Sequence, residues 1–269
     1  MTAFTDQLHR TIEIAATPRR IISLVPSQTE LLYDLGLRDE VVGITKFCVH
    51  PNEWYRNKTR VGGTKTYDFE KIKALNPDLI IGNKEENERE QIEELMALYP
   101  VWMSDIYTLP DAMQMILQLG ILVNKRAEAE ILRQKIEKEF TAFYQFRAET
   151  PLKQLNVAYF IWRMPYMVAS RHTFIHHLLE QCGFKNVFAG EAFERYPEIS
   201  AQQLADANPD VILLSSEPYP FKDKHVAEFQ SICKNAKIVT VDGELFSWYG
   251  SRLLHAPGYF KELIVSLQS

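Results

Sequence analysis

Two stretches of this chain repeat one another in the same order on either side of a long run free of glycine and proline, and that pairing restricts what it can fold into. FEKIKALNPDLIIGNKE (69–85) aligns with AQQLADANPDVILLSSE (201–217), and ELLYDLGLRDEVVG (30–43) aligns with HLLEQCGFKNVFAG (177–190). Each member of the first pair reads as a helix, an Asn-Pro-Asp stop and an apolar strand, and each member of the second as an amphipathic helix closed by glycine. Either match alone is within reach of chance. Both together argue for two related lobes.

The run between them, Lys125 to Glu149, is dense in Ala, Glu, Lys, Arg, Leu and Gln, which lose little rotamer freedom in a helix. Its apolar positions Ile131, Leu132, Ile136, Phe140, Phe143 and Tyr144 are expected to form one buried stripe. Such a helix would be roughly 37 Å long, enough to join two lobes.

On the amino-terminal side, strands are expected at Arg20–Leu24, Val41–Ile44, Leu79–Gly82 and Val101–Met103. Helices are expected at Thr29–Leu35, Phe69–Leu75, Arg89–Leu98 and Leu109–Val123, with a polar and aromatic loop over Thr45–Lys58. On the carboxyl-terminal side, strands are expected at Asn156–Trp162, Val211–Leu214 and Lys237–Val241. The helices there are expected at Thr173–Cys182, Ala201–Ala207 and Pro257–Leu267. Alternation of this kind implies mainly parallel sheets covered on both faces. The fold class is α/β, with two related lobes joined by one long backbone helix: a lobe over 1–124, the helix over 125–150 and a second lobe over 151–269.

The 269 residues carry a net charge of -5 and 46% hydrophobic content. That is ordinary globular composition with no basic footprint for nucleic acid. No apolar run reaches the roughly 18 residues of a membrane span. The first residues lack the h-region of a secretory signal, so a cytoplasmic location follows if Met1 is the native start. Cys48, Cys182 and Cys233 are too few and scattered for a disulfide framework or a zinc ribbon.

In open α/β sheets ligands collect outside the carboxyl ends of the strands, so the cleft between two such lobes is the expected site. Its candidates are Phe47 and His50 after the second strand, Thr64 and Lys65 after Val61, and Asn83 after Ile81. The second lobe adds Trp162, Arg163 and Tyr166, and the late segment FSWYGSR adds Trp248, Tyr249 and Arg252. Aromatics with Lys65, Arg163 and Arg252 suit a large ring-bearing ligand with polar or acidic edges. Cys48 and His50 on one loop could instead hold a bare metal ion, or act as nucleophile and base, although no zinc spacing, GxSxG, Walker A or GxGxxG motif accompanies them. His172, His176 and His177 are expected on a solvated helix face.

RIISLVPSQTELLYDLGL, VVGITKFCVHP, VGGTKTYDFEKIKALNPDLII and ELFSWYGSR resemble the substrate-binding proteins of bacterial importers for vitamin B12, iron siderophores and haem, from about Arg19 to the carboxyl terminus. The resemblance implies two α/β lobes on a backbone helix and a non-enzymatic, monomeric receptor in the periplasm or at the cell surface. It implies no cofactor beyond a ligand that itself carries cobalt or iron, and an ABC permease as partner. It places Phe47 where vitamin B12 binders have an aromatic, and Glu70 where one lobe docks on permease arginines. Gln202 stands where the second docking carboxylate would be. Thr64 and Asn83 stand where vitamin B12 binders carry tryptophans, and Cys182 lacks the disulfide partner that some members have in the last helix.

Overall fold

The computed structural model describes residues 2–268. Its chain divides into two compact units. Unit 1 runs to Ile106 and includes Pro110–Glu137 and Trp248–Leu254; unit 2 comprises Tyr107–Leu109, Lys138–Ser247 and the chain from His255 on.

Unit 1 begins with a hairpin, β1 (Thr2–Thr5) and β2 (Thr11–Ile14), ahead of the first strand expected from the sequence. In β2 the side chains alternate, Ile12 and Ile14 buried and Thr11 and Glu13 exposed, the period-2 signature of a one-sided strand. Buried Asp6 in the turn accepts bonds from the backbone N–H of Leu8 and Arg10 and from the Arg10 guanidinium. Arg10 also donates to the carbonyl of Val101, fastening the hairpin to the neighbouring strand.

The sheet of unit 1 uses β3 (Ile21–Ser23), β4 (Val41–Ile44), β5 (Thr59–Arg60), β6 (Leu79–Asn83) and β7 (Val101–Ser104) in the order β5-β4-β3-β6-β7, all parallel. Its helices are α1 (Pro26–Asp34), α2 (Asn52–Asn57), α3 (Phe69–Leu75), α4 (Arg89–Met96) and α5 (Leu109–Leu122). The strands are short and apolar because parallel sheets are covered on both faces. The expected Thr45–Lys58 loop is corrected by α2, which forms because Trp54 inserts into the core edge-on to Tyr33, with ring centroids 5.3 Å apart.

The long helix α6 spans Arg126–Glu149. The buried stripe is narrower than expected: Ala129, Ile136, Phe140 and Phe143 are buried, whereas Ile131 and Tyr144 are exposed. Steps of seven, four and three residues keep those four side chains on one face, and Ile131 falls off it.

Unit 2 contains β8 (Asn156–Trp162), β9 (Tyr166–Val168), β10 (Lys185–Asn186), β11 (Glu198–Ile199), β12 (Val211–Ser215) and β13 (Lys237–Val241). With them stand the helices α7 (Phe174–Gln181), α8 (Ala201–Ala207), α9 (Val226–Ile232), α10 (Gly243–Ser247) and α11 (Ala256–Gln268). The sheet order is β11-β9-β8-β12-β13, with β10 beside the start of β8. β8, β10, β12 and β13 are parallel, and β9 folds back antiparallel on β8.

The internal repeat is structural. Asn76 after α3 and Asn208 after α8 both cap in the left-handed region, at φ 42° and 43°, which asparagine tolerates better than most residues. The aspartate two residues on then pins the start of the neighbouring strand: Asp78 accepts from the N–H of Arg19 and Arg20, and Asp210 from that of Asn156. The strands that follow, β6 and β12, pair in parallel with β3 and β8 respectively.

Candidate ligand-binding site

In each unit the sheet has a point where chain connections diverge to opposite sides, between β3 and β6 in unit 1 and between β8 and β12 in unit 2. The carboxyl ends of those strands are where a doubly wound sheet leaves a crevice.

In unit 1 the loop after β4 presents Phe47, 51% exposed, with the Lys46 ammonium 5.1 Å from its ring centroid. His50 on the same loop meets Trp248 edge-on at 5.7 Å. Trp248 and Tyr249 are buried. The Arg252 guanidinium lies 4.7 Å from the Trp248 ring centroid and makes a two-point pair with Glu30 of α1, its Nε donating to Oε2 at 2.9 Å and its Nη2 to Oε1 at 2.6 Å. A Cβ at Gly250 would stand 2.7 Å from the Ser27 carbonyl oxygen, so the absence of a side chain there lets this segment lie against the start of α1.

Asn83, Thr64 and Lys65 form a separate cluster. Asn83 is buried; its Oδ1 accepts from the N–H of Glu85 and Glu86, and its Nδ2 donates to Ser104 Oγ. The Thr64 carbonyl accepts from the Tyr67 hydroxyl and from Asn87 Nδ2. Lys65 Nζ donates to the Glu85 carbonyl at 2.9 Å. These contacts shape the loop after β6. Lys65 stays exposed, and Glu70 is exposed in the first turn of α3.

In unit 2, Trp162 at the end of β8 is 40% exposed and stands edge-on to Tyr219, 5.6 Å away, while Met164 is 73% exposed. Arg163 and Tyr166 converge on Glu228 of α9: Arg163 Nε donates to Oε2 at 2.7 Å and the Tyr166 hydroxyl to Oε1 at 2.5 Å. Burial pushes the Glu228 carboxyl up, but the Tyr166 hydroxyl and the Arg163 guanidinium outweigh it and hold it below its ordinary value. Burial and the same hydrogen bond push the Tyr166 hydroxyl up to about 12.

The burial of Cys48 weighs against its reading, with His50, as metal ligand or nucleophile. Cys48 is fully buried, its sulfur 3.1 Å from the hydroxyls of both Thr29 and Thr45, and burial raises its pKa. A ligand or nucleophile needs the thiolate, which that environment disfavours. Among the described residues no group of three or more His, Cys, Asp or Glu side chains is placed to hold a metal ion. Of the three histidines expected to be solvated, His172 is exposed, whereas His176 and His177 are half-buried, with His176 Nε2 3.4 Å from Glu180.

A polar groove of about 1080 Å³ in unit 2 is lined by Asn156, His176, Lys185 and Asn208 among others. It lies at the amino ends of β8 and β12, opposite the strand-end loops, and none of the exposed aromatic side chains borders it.

Sequence reasoning named the aromatic and cationic members of the strand-end loops and missed the carboxylates that answer them. Glu30 and Glu228 lie on helices, 222 and 65 residues from their arginines, and no local spacing marks such pairs.

The chain matches the periplasmic binding protein family over residues 21–232. It is 26% identical over 242 residues to a vitamin B12-binding protein of Pectobacterium carotovorum subsp. carotovorum (strain PC1), covering 90% of this chain and 86% of that protein. Among solved structures it is similar to the periplasmic vitamin B12 binding protein BtuF of Vibrio cholerae, with TM-score 0.77, 22% identity and 94% and 99% of the two chains covered. It is likewise similar to the periplasmic heme-binding protein RhuT of Roseiflexus sp. RS-1, with TM-score 0.80, 20% identity and 93% and 98% covered. At these identities the structures speak for a shared fold.

Proposed function

The chain belongs to the periplasmic binding protein family, and from that premise we propose that it is a non-enzymatic receptor for a metal chelate of the corrinoid, ferric siderophore or haem kind, which it delivers to an ABC importer. The observation that carries this reading is the exposure of flat or soft apolar side chains at the carboxyl ends of the strands, Phe47 in unit 1 and Trp162 and Met164 in unit 2. Large apolar side chains at a crevice, unlike single ones scattered over a surface, signal a partner that covers them. A conjugated macrocycle offers the faces such rings stack on. The vitamin B12-binding name of the relatives agrees with this ligand class. His50, on the loop that carries Phe47, meets Trp248, on which Arg252 lies, while Thr64, Lys65 and Asn83 shape the loop after β6. The cobalt or iron travels with the ligand, and the buried state of Cys48 speaks against capture of a bare ion.

Titration of the purified protein with cyanocobalamin, haemin and a ferric hydroxamate siderophore, read by tryptophan fluorescence, tests the proposal. Submicromolar binding of one of them is expected; no binding below about 10 µM by any of them refutes it. We place the receptor in the periplasm or at the cell surface, as a monomer, with exposed Glu70 as a docking carboxylate for a permease arginine. Gln202, at the matching place on α8, donates to Asp206 at 2.8 Å. Glu70→Ala should then lower transport by the reconstituted importer while leaving chelate affinity unchanged.

A further inference from the structure

Each unit pairs an arginine, Arg252 in unit 1 and Arg163 in unit 2, with a carboxylate from a helix. Arg252 and Glu30 form a two-point pair whose side chains are each 18% exposed; Arg163 makes a single contact to Glu228 through Nε, with the two side chains 24% and 26% exposed, and the Tyr166 hydroxyl takes the other carboxylate oxygen. A guanidinium keeps its charge at every accessible pH, and a fork of two N–H groups on one carboxylate is its strongest neutral arrangement. Both arginines adjoin the aromatic side chains of the proposed site, Arg252 over Trp248 and Arg163 directly after Trp162. Each guanidinium charge is balanced by its carboxylate, which engages two donors of Arg252 and the Nε of Arg163.

We propose that Glu30 and Glu228 are charge-specificity residues of the receptor, each in its own unit: by pairing with Arg252 and Arg163 they turn each unit's strand-end face toward chelates without net charge and against chelates bearing carboxylate or catecholate anions. This rests on the receptor reading above and names the ligand class within it. An anionic chelate approaching either arginine meets a carboxylate that must be displaced or left facing a like charge, which costs affinity. A neutral macrocycle stacks on the exposed ring of Phe47 or Trp162 without disturbing either pair. Lys46 and Lys65 remain as exposed cations in unit 1.

The test uses the full chain with two probes of opposite character, cyanocobalamin, which has no net charge, and haemin, which carries two propionates. Glu30→Gln and Glu228→Gln keep the size of the side chain and one acceptor while removing the charge. Each is expected to raise haemin affinity at least tenfold over wild type and to change cyanocobalamin affinity by less than threefold. Arg252→Met in the Glu30→Gln background should abolish the gain, because the freed guanidinium is its source. A purely structural role moves both affinities down together and overturns the proposal, as does a haemin affinity no higher than wild type. Should Glu30→Gln fail to fold, Glu228→Gln decides by the same criterion in the other unit. Wild-type protein that binds none of the chelates refutes the receptor reading, whereas the absence of a haemin gain refutes charge specificity, so the two failures are distinct.

Discussion

Phe47→Ala isolates what an exposed ring contributes to binding. A phenylalanine side chain carries roughly 200 Å², and with 51% of the residue open to solvent about 100 Å² is available for a ligand to cover. At ~25 cal/mol per Å² that is a ceiling of ~2.5 kcal/mol. Incomplete coverage and the entropy of fixing the loop reduce it to about 1–2 kcal/mol, a loss of roughly 5- to 30-fold in affinity. The folded state loses little, because the ring contributes chiefly an exposed cation–π contact with Lys46, worth about 0.5–1 kcal/mol. Fluorescence titration with the chelate bound by wild type gives the affinity, and a thermal melt gives the stability. Leu98→Ala is the control: Leu98 is 63% exposed but lies between α4 and β7, at the amino end of the strand, so its loss should leave affinity unchanged. Unchanged affinity in Phe47→Ala, or an equal drop in Leu98→Ala, would show that exposure at the strand ends carries no binding energy.

His225 and His176 both have pKa values lowered, chiefly by burial, so the unfolded chain takes up their protons first. Their contribution to stability is present above the ordinary histidine value of 6.5 and is lost as pH falls below it; the urea midpoint should drop between pH 7.5 and 5.5, and less so in the double variant His225→Gln/His176→Gln. The Glu228 carboxyl, held below its ordinary 4.5, acts with the same sign in a separate and more acidic window. Cys48→Ser should leave cyanocobalamin affinity within twofold, and native protein should resist maleimide at pH 7 until unfolded, since all three thiols are buried; rapid labelling of Cys48 in the native state would contradict its placement. Phe140→Ala on α6, removing a fully buried ring, should cost about 3–5 kcal/mol in a urea unfolding curve.

The parts of the fold written in local chemistry could be read directly. The Asn-Pro-Asp stops were visible because one short motif does three things at once: the asparagine turns, the proline forbids continuation of the helix, and the aspartate ties down the next strand's neighbour. The pieces that escaped are those whose stability comes from a distant partner. β2 spells Thr-Ile-Glu-Ile, yet it is a strand only because Asp6 and Arg10 dock its hairpin on Val101 and Met103. α2 has six residues, too few to signal a helix, and exists because Trp54 has a core to enter.

The candidate site shows the same division at the level of charge. An arginine in a loop or turn reads identically whether a ligand or the protein answers it, and Arg163 and Arg252 each pair with a carboxylate of the protein. Asn83 is the converse: a strand-end amide that reads as a ligand contact but is consumed in holding the N–H groups of Glu85 and Glu86. Satisfied buried polar groups are the rule in folded proteins, so a polar residue in a strand-end loop is committed to the protein until its partners are known, whereas a half-exposed ring such as Phe47 or Trp162 has apolar surface that nothing in its own unit covers. The aromatic character of the site was therefore the part a sequence could carry. Glu30 and Glu228 lie on helices outside the strand-end loops and meet Arg252 and Arg163 only through the three-dimensional fold.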